Sequence, residues 1–355
     1  MDGDKKEKDR KRLDHYNKEL DLMDEQLASL LSARLELAGK IARLKRSLGV
    51  ESFDLSAEQS RSQALRSIFS EIRSASRDVR EGLSVAYLGP EGTFSHRAAL
   101  CMFGGSASFR ASESIGEVFG LVEKGVCRQG VVPIENSYAG QVDITSDLFY
   151  QFDLRICAEI FMRIRHHLLS KSGCMGDIKR LYSHPMPVAQ CRSWLKANLR
   201  GIPVLETAST SLAAKKAAHD PEGAALGSRF SGETYGLIPV EENIEDDPEN
   251  ITRFLVIGKN RSKPTGKDKT SVLFFLKNSP GSLNRCLTIL AERGVNVKRI
   301  DSRPMKNIKW EYLFFLDMEG HEEEKNMGEA LHEMERHSVF MKRLGSYPAG
   351  GEPWD

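Results

Sequence analysis

Val85-Ala86-Tyr87-Leu88-Gly89-Pro90-Glu91-Gly92-Thr93-Phe94-Ser95-His96 is the stretch on which the fold turns. A short apolar run breaks at a Gly/Pro turn, and Thr93 or Ser95 then offers a helix cap, so the stretch reads strand, turn, helix. The first N–H groups of such a helix are free and face the turn, which makes the place ready for an anion. The glycines lack the Gly-x-Gly-x-x-Gly spacing, so no dinucleotide fingerprint is present. Taken by itself, the stretch is also what any strand–turn–helix looks like.

Outward from it, residues 83 to 260 go on alternating strand-like runs with helical patches. Strand candidates are 85–88, 130–133, 155–164, 180–183, 224–226 and 254–257; helix candidates are 95–103, 113–124, 187–199 and 210–219. Alternation of this kind predicts an α/β unit with mostly parallel sheets, long enough for two lobes joined by crossovers. Its polar residues gather at strand ends, where α/β sheets place their ligand crevice. The clusters are Val131-Val132-Pro133-Ile134-Glu135-Asn136-Ser137; Tyr182-Ser183-His184-Pro185 with Gln190 and Cys191 beyond it; Thr207-Ala208-Ser209-Thr210-Ser211 ahead of Leu212-Ala213-Ala214; and Asn250-Ile251-Thr252-Arg253-Phe254. Each alone reads equally as cap, turn or core, but four in one unit point to a site. His166-His167 resembles a ligand pair, yet neighbours in a strand face opposite sides, so the pair reads as structural.

Residues 1–82 have another texture. They hold 17 Lys/Arg and 16 Asp/Glu, no proline, and after Gly3 only Gly39, Gly49 and Gly82. Leu20, Leu27, Ile41 and Leu48 keep a seven-residue spacing with Met23, Leu30, Leu37 and Leu44 between them, which predicts an amphipathic helix of about 30 residues. A break at 49–54 and two shorter helices, one capped by Ser56 and one running to 81, complete the unit. It cannot bury such a stripe alone, so a helical dimer is expected. Arg34 sits where the spacing demands an apolar side chain, and Lys45 lies three turns further on the same face. Two cations on a buried stripe need compensation. A bound dicarboxylate would supply it; so would salt bridges to Glu36 or Glu58, or snorkelling at the bundle edge.

A polar linker, 259–269, leads into strand 270–276, helix 281–293, strands 295–303 and 312–317, helix 323–335 and strand 340–347, the β-α-β-β-α-β order of a ferredoxin-like unit. The 355 residues suggest two or three domains, and 40% hydrophobic with 28% charged residues is a globular composition. A net charge of +1 argues against nucleic acid as the main partner, because neutralising phosphates needs a basic surplus. No apolar run approaches the ~18 residues of a membrane span. The charged start, Met1-Asp2-Gly3-Asp4-Lys5-Lys6, lacks the apolar core of a signal peptide. The six cysteines (101, 127, 157, 174, 191, 286) are scattered, so reduced cytoplasmic thiols are expected, with no metal and no cofactor.

The combination of Gly89-Pro90-Glu91-Gly92-Thr93-Phe94-Ser95-His96, Pro133-Ile134-Glu135-Asn136, Tyr182-Ser183-His184-Pro185 with Gln190-Cys191, Ser209-Thr210-Ser211, Ala225-Leu226-Gly227-Ser228 and Thr252-Arg253-Phe254 closely resembles prephenate dehydratase across residues 84–258. The resemblance implies two α/β lobes like those of a periplasmic binding protein, with the active site in the cleft. It places Asn136, Ser183, Gln190 and Thr252 in that site. Thr252 is expected to deliver the proton to the leaving hydroxyl, to relay it from Glu135 or His184, or to orient the hydroxyl. Thr93, Phe94, Ser209, Thr210, Ser211 and Arg253 are expected to bind substrate. These residue types suit the chemistry. Prephenate carries two carboxylates and a ring hydroxyl, and protonating the hydroxyl lets water leave as carbon dioxide departs. The ring carboxylate must stay anionic, so neutral donors such as Ser183, Ser209, Thr210 and nearby N–H groups suit it better than an arginine clamp.

The run Leu20-Asp21-x-Met23-Asp24 … Leu30-Leu31-x-x-Arg34-x-Glu36-Leu37-Ala38 … Lys45 resembles the all-helical chorismate mutase domain. Arg34 and Lys45 match substrate-binding positions of that family, Asp54 and Glu58 match two acidic positions, and Ser76 matches a serine on the last helix. The family's N-terminal arginine falls on Asn17, a second arginine on Ala57, and the glutamine that contacts the ether oxygen on Arg80. Pro280-Gly281-Ser282-Leu283 and Asp301-Ser302-Arg303-Pro304 resemble the ACT domain of prephenate dehydratases. That likeness implies phenylalanine binding by Gly281, Ser282, Leu283, Asp301, Ser302, Arg303 and Pro304.

The resulting expectation is a multidomain chain. It has an all-α chorismate mutase-like domain (1–82), a two-lobed α/β dehydratase domain (83–260) and an α+β ferredoxin-like ACT domain (268–348). The expected function is a cytoplasmic enzyme of phenylalanine biosynthesis, turning chorismate into prephenate and prephenate into phenylpyruvate. Phenylalanine feedback and a homo-oligomer, dimer or tetramer, go with it. Two alternatives stay open: a dehydratase whose helical domain only dimerises, and an amino-acid sensor without chemistry.

Overall fold

A computed structural model describes residues 83–304 and 312–355, together with scattered positions from Arg12 to Ile41 and Glu71. The chain first builds a lobe from β1 (Ser84–Leu88), α1 (Phe94–Phe103), β2 (Ser108–Ser112), α2 (Ile115–Glu123), β3 (Gln129–Asn136), β4 (Gly140–Gln141), α3 (Asp143–Gln151) and β5 (Arg155–Arg163). It crosses to a second lobe of β6 (His167–Ser170), β7 (Arg180–Ser183), α4 (Pro185–Gln190), α5 (Arg192–Asn198), β8 (Val204–Glu206), α6 (Thr210–Ala217), β9 (Gly223–Gly227), α7 (Arg229–Tyr235) and β10 (Ile238–Glu241). It then returns to the first sheet as β11 (Ile251–Gly258). A third sheet follows from β12 (Asp268–Phe275), α8 (Ser282–Glu292), β13 (Val297–Pro304), β14 (Tyr312–Glu319), α9 (Lys325–His337) and β15 (Phe340–Pro348).

The opening stretch folds as its residues dictate. Thr93 caps α1, its hydroxyl accepting from the His96 N–H at 3.2 Å, and Ser114, Ser209 and Ser228 cap α2, α6 and α7 in the same way. Gly92 takes φ +81°, a left-handed conformation that glycine tolerates best.

Strand order is β2-β1-β3-β11-β5 in the first sheet, with β4 on β3; β10-β6-β9-β7-β8 in the second; and β13-β14-β12-β15 in the third. The first two sheets are mixed, not mostly parallel as the alternation predicted. β11 runs antiparallel to both β3 and β5, and β6 antiparallel to β9 and β10. The cause is the crossover. β5 leaves the first lobe at the end where β11 re-enters it, so the two must run opposite ways. The helix expected over 187–199 breaks at Cys191 into α4 and α5. Short β6 and the edge strands β2 and β8, with exposed residues, gave little apolar pattern to read.

β11 is buried on both faces, which explains its continuous apolar run. Phe254 and Val256 pack with Val85, Ala98 and Ile160 on the α1 side. Leu255 and Ile257 point the other way, into a core shared with α2, α3 and the third sheet's Leu273, Phe315 and Tyr347. The third sheet is thus sandwiched, its far face covered by α8 and α9. Contact with the first lobe is close enough that a Cβ on Gly345 would lie 2.5 Å from the Ile156 carbonyl oxygen. The predicted ferredoxin-like order is present, with element ends shifted by a residue or two.

The described positions from Arg12 to Ile41 are all helical, over the span where the heptads predict the long helix. Met23, Leu30, Leu37 and Ile41 of its apolar stripe are exposed. All six cysteines are free, five of them buried. Among the described residues no helix is long and apolar enough to cross a membrane.

Candidate active site

β3 and β11 end side by side, with Asn136 directly opposite Thr252. The Asn136 amide nitrogen donates to Thr252 Oγ1 at 2.8 Å and to Asn250 Oδ1 at 2.7 Å. Its Oδ1 accepts from the backbone N–H groups of Tyr138 (3.0 Å) and Ala139 (2.8 Å), which fixes the amide's orientation. The consequence is chemical. Thr252 Oγ1 is already an acceptor, so its own hydrogen is directed to another partner. A threonine held this way presents a donor at the end of the sheet.

The second lobe carries Ser183, Gln190, Ser209 and Thr210. Ser183 ends β7, wholly buried, and donates to the His184 carbonyl at 2.9 Å. Ser209 and Thr210 stand half-buried at the start of α6. Gln190 closes α4, and its Oε1 lies 2.7 Å from His166 Nε2. His166, set aside from sequence as structural, lies in the crossing segment between lobes and meets the edge of Phe94, ring centroids 6.1 Å apart. Burial lowers its pKa, a shift only partly opposed by Gln190 and Glu245, so the imidazole is neutral. With Gln190 Oε1 as acceptor, Nε2 carries the hydrogen, and buried Nδ1 has no protein partner. The side-chain nitrogen of buried Asn250 likewise lacks one. The sequence placed Asn250 in a polar strand-end cluster without singling it out, and set His166 aside as structural. The alternation rule used against His166-His167 does not apply, since His166 lies ahead of β6 and both histidines are buried.

Several expected site residues are engaged elsewhere. Arg253 was expected to bind substrate, but it occupies the opposite face of β11 from Thr252, because strand neighbours alternate. It lies in a buried cluster, 2.7 Å from Glu159, ion-paired to Asp317 and 3.0 Å from the Tyr347 hydroxyl. Burial alone would lower its pKa; Tyr347, Asp317 and Glu159 outweigh that and hold it well above the ordinary value. Lys269 completes the cluster, 2.7 Å from Glu159. Ser211 was also expected to bind substrate. Fully buried, it bonds across the lobes to the Glu91 carbonyl, which also accepts from the Tyr235 hydroxyl at 2.9 Å. Thr93 spends its hydroxyl on the α1 cap and on the Leu88 carbonyl. Glu135 was expected as a proton relay, but the strand turns it away from Asn136 and Thr252, and it meets Arg299 of β13 at 3.3 Å. His184, the other relay, caps α4 through Nδ1.

Phe94 also borders a cavity of about 570 Å³, together with Met162, the cross-strand partner of Thr252. Its Arg163, Arg165 and Arg229 are balanced by Glu249, Glu245 and Glu233.

In the third sheet, Gly281 takes φ +82° ahead of α8, with Ser282 and Leu283 half-buried. Asp301 and Arg303 face the first lobe from β13; Ser302 and Pro304 are exposed. Arg303 pairs with Asp147 of α3 at 2.8 Å, and Asp301 pairs with Arg299. In the N-terminal region Arg34 is helical and half-buried. Lys45, Asp54, Glu58 and Ser76, like Asn17, Ala57 and Arg80, lie outside the described residues.

The prephenate dehydratase family model matches residues 85–262, and the ACT domain model matches 270–336. A bifunctional chorismate mutase/prephenate dehydratase of Aquifex aeolicus is 40% identical over 95% of this chain and 98% of its own length. Among solved structures, a prephenate dehydratase from Arthrobacter aurescens in complex with L-Phe aligns with TM-score 0.69 and 33% identity, covering 75% of this chain and 90% of that one. The structure of GqqA, described as a novel type of quorum quenching acylase, aligns with TM-score 0.68 and 29% identity over 75% of this chain and 98% of its own. The scaffold thus accompanies more than one described activity, and the site must decide the reaction. With a full-length relative at this identity and both models matched in order, the chain belongs to the bifunctional chorismate mutase/prephenate dehydratase family.

Proposed function

We propose that the protein converts prephenate to phenylpyruvate, with an N-terminal helical domain that converts chorismate to prephenate and an ACT domain through which phenylalanine feeds back. The observation that carries the dehydratase reading is the Asn136–Thr252 pair, which leaves a threonine hydroxyl poised as donor. Prephenate's ring C–C bond to its carboxylate breaks, the electron pair enters the ring, and the ring hydroxyl, protonated once, leaves as water. One proton is consumed, and the products are phenylpyruvate, carbon dioxide and water. Thr252 delivers or relays that proton, and Asn136 holds Thr252 in place. Ser183, Gln190, Ser209, Thr210 and Phe94 bind the substrate, and neutral His166 supports Gln190. The site needs no resident metal or redox group, because the departing carboxylate supplies the electron pair.

In this reading the domains span 1–82, 83–260 and 268–348. Arg34, Lys45, Asp54, Glu58 and Ser76 serve the mutase step. The exposed stripe of Met23, Leu30, Leu37 and Ile41 is covered by a second copy, making a homo-oligomer of a cytoplasmic enzyme. Gly281–Leu283 and Asp301–Pro304 receive phenylalanine.

The test offers chorismate and prephenate to the purified protein in separate vessels. Phenylpyruvate should form from prephenate, and none forming would refute the reading. Chorismate consumption reports the mutase alone; prephenate turnover without it would reduce the helical domain to a dimerisation element.

A further inference from the structure

The third sheet touches the dehydratase lobe immediately behind the two residues that form the site. Glu135 precedes Asn136, and Arg299 of β13 reaches it at 3.3 Å. The Arg299 guanidinium is mostly buried, lies over the ring of Phe315 at 5.5 Å, and also pairs with Asp301 on its own strand. One cation is therefore shared between a carboxylate beside the active-site amide and a carboxylate of the Asp301-Ser302-Arg303-Pro304 motif. The ladder around Glu135 is irregular. Arg253 pairs with Glu135 but Phe254 pairs with Pro133, so Ile134 is the extra residue of a bulge. A bulge lets the end of β3 move without breaking the rest of the ladder.

We propose that Arg299 is a positioning residue that carries the state of the third sheet to the dehydratase site, by dividing its charge between Asp301 and Glu135. This rests on the reading of Asp301–Pro304 as part of an amino-acid site. A ligand whose ammonium group competes for Asp301 changes the share of Arg299 that Glu135 receives. Glu135 then shifts at the bulge, and Asn136 and Thr252 shift with it. Arg299 touches neither substrate nor, in this scheme, the amino acid. Its removal uncouples two sites that each remain intact.

The experiment uses the full-length chain with Arg299→Met, Arg299→Gln and Arg299→Lys. Phenylpyruvate formation is followed against phenylalanine concentration, and phenylalanine binding is measured by calorimetry with and without a non-reactive prephenate analogue. In the two neutral variants, phenylalanine binding and uninhibited turnover should stay within about threefold of the parent, while the inhibitory concentration rises by about tenfold or more. Coupling is reciprocal, so the analogue should alter phenylalanine affinity in the parent and no longer do so in these variants. Arg299→Lys, which keeps the charge, should restore part of the inhibition. Inhibition unchanged in Arg299→Met and Arg299→Gln overturns the inference. Loss of phenylalanine binding together with inhibition also overturns it, since Arg299 would then be a ligand contact. A parent chain that does not bind phenylalanine refutes the amino-acid site itself, and this inference with it.

Discussion

Replacing Thr252 by alanine tests the arrangement at its centre. Thr252 Oγ1 accepts the Asn136 amide hydrogen, so its own hydrogen is the donor that the leaving hydroxyl would meet. Proton transfer by a positioned group contributes about 10²–10⁴-fold, or ~3–5 kcal/mol of barrier. Thr252→Ala should therefore lower kcat by that factor. The Asn136 amide loses one of its acceptors but keeps Asn250 Oδ1 and the N–H groups of Tyr138 and Ala139, so it should hold its place. One unpaired amide hydrogen costs about 1–3 kcal/mol of stability, which leaves the domain folded. Because the groups that bind substrate stay put, KM should move by no more than about threefold. Thr252→Ser restores the hydroxyl and should recover activity to within about tenfold of the parent. The assay is steady-state phenylpyruvate formation from prephenate, with thermal unfolding as the check on folding. An alanine variant within tenfold of parental kcat, or one whose entire loss lies in KM, would remove Thr252 from proton delivery.

Two further outcomes follow from buried charge. Arg253→Met leaves Glu159 and Asp317 without their shared cation, with Lys269 still beside Glu159; urea unfolding should show a loss of about 3–5 kcal/mol, and an unchanged KM for prephenate would confirm that Arg253 is no substrate ligand. Burial holds the His166 pKa below its ordinary 6.5. The unfolded chain therefore binds the extra proton first, and stability present above pH 6.5 falls as pH drops toward the folded value, by at most ~1.4 kcal/mol per pH unit. Thermal unfolding from pH 7.5 to 5.5 should be flatter in His166→Gln than in the parent, and equal slopes would show that His166 is not buried neutral.

The strands that read clearly from sequence were those with an unbroken apolar run, such as 254–257 in β11, because burial on both faces writes itself into composition. β2 and β8 were not legible. They are edges, and the hydrogen bonds that make them strands come from a neighbour distant in the chain. The strand directions were misread for the same reason: alternation reports which elements exist, not where a returning strand re-enters. The polar strand ends were legible one by one, and the structure pairs two of them, Asn136 and Thr252, while Ser183 ends β7 in the other lobe. The fate of Arg253 and Ser211 was not. An arginine beside a threonine expected in the site reads as a ligand until the partner sheet, with Asp317 and Tyr347, is known to lie behind it.

That partner sheet gives the alternation of β3 and β11 a second meaning. Asn136 and Thr252 bond to each other at the strand ends; Glu135 and Arg253, one residue away on each strand, face the third sheet and form ion pairs with Arg299 and Asp317. A period of two therefore sends neighbouring residues to different partners, the Asn136–Thr252 pair on one side and the third sheet on the other. Both sheets are close-packed against each other, with Gly345 pressed to the Ile156 carbonyl, so the third sheet cannot shift without moving charged partners. Substrate binding, in turn, can be sensed across the same two strands. A regulatory sheet on a long flexible tether would need a separate contact to reach the cleft. Here the contact is made by side chains of β3 and β11 themselves, so cutting only the linker between β11 and β12 should leave feedback by phenylalanine in place, read as phenylpyruvate formation against phenylalanine concentration before and after cleavage, and inhibition lost on cleavage would refute the argument.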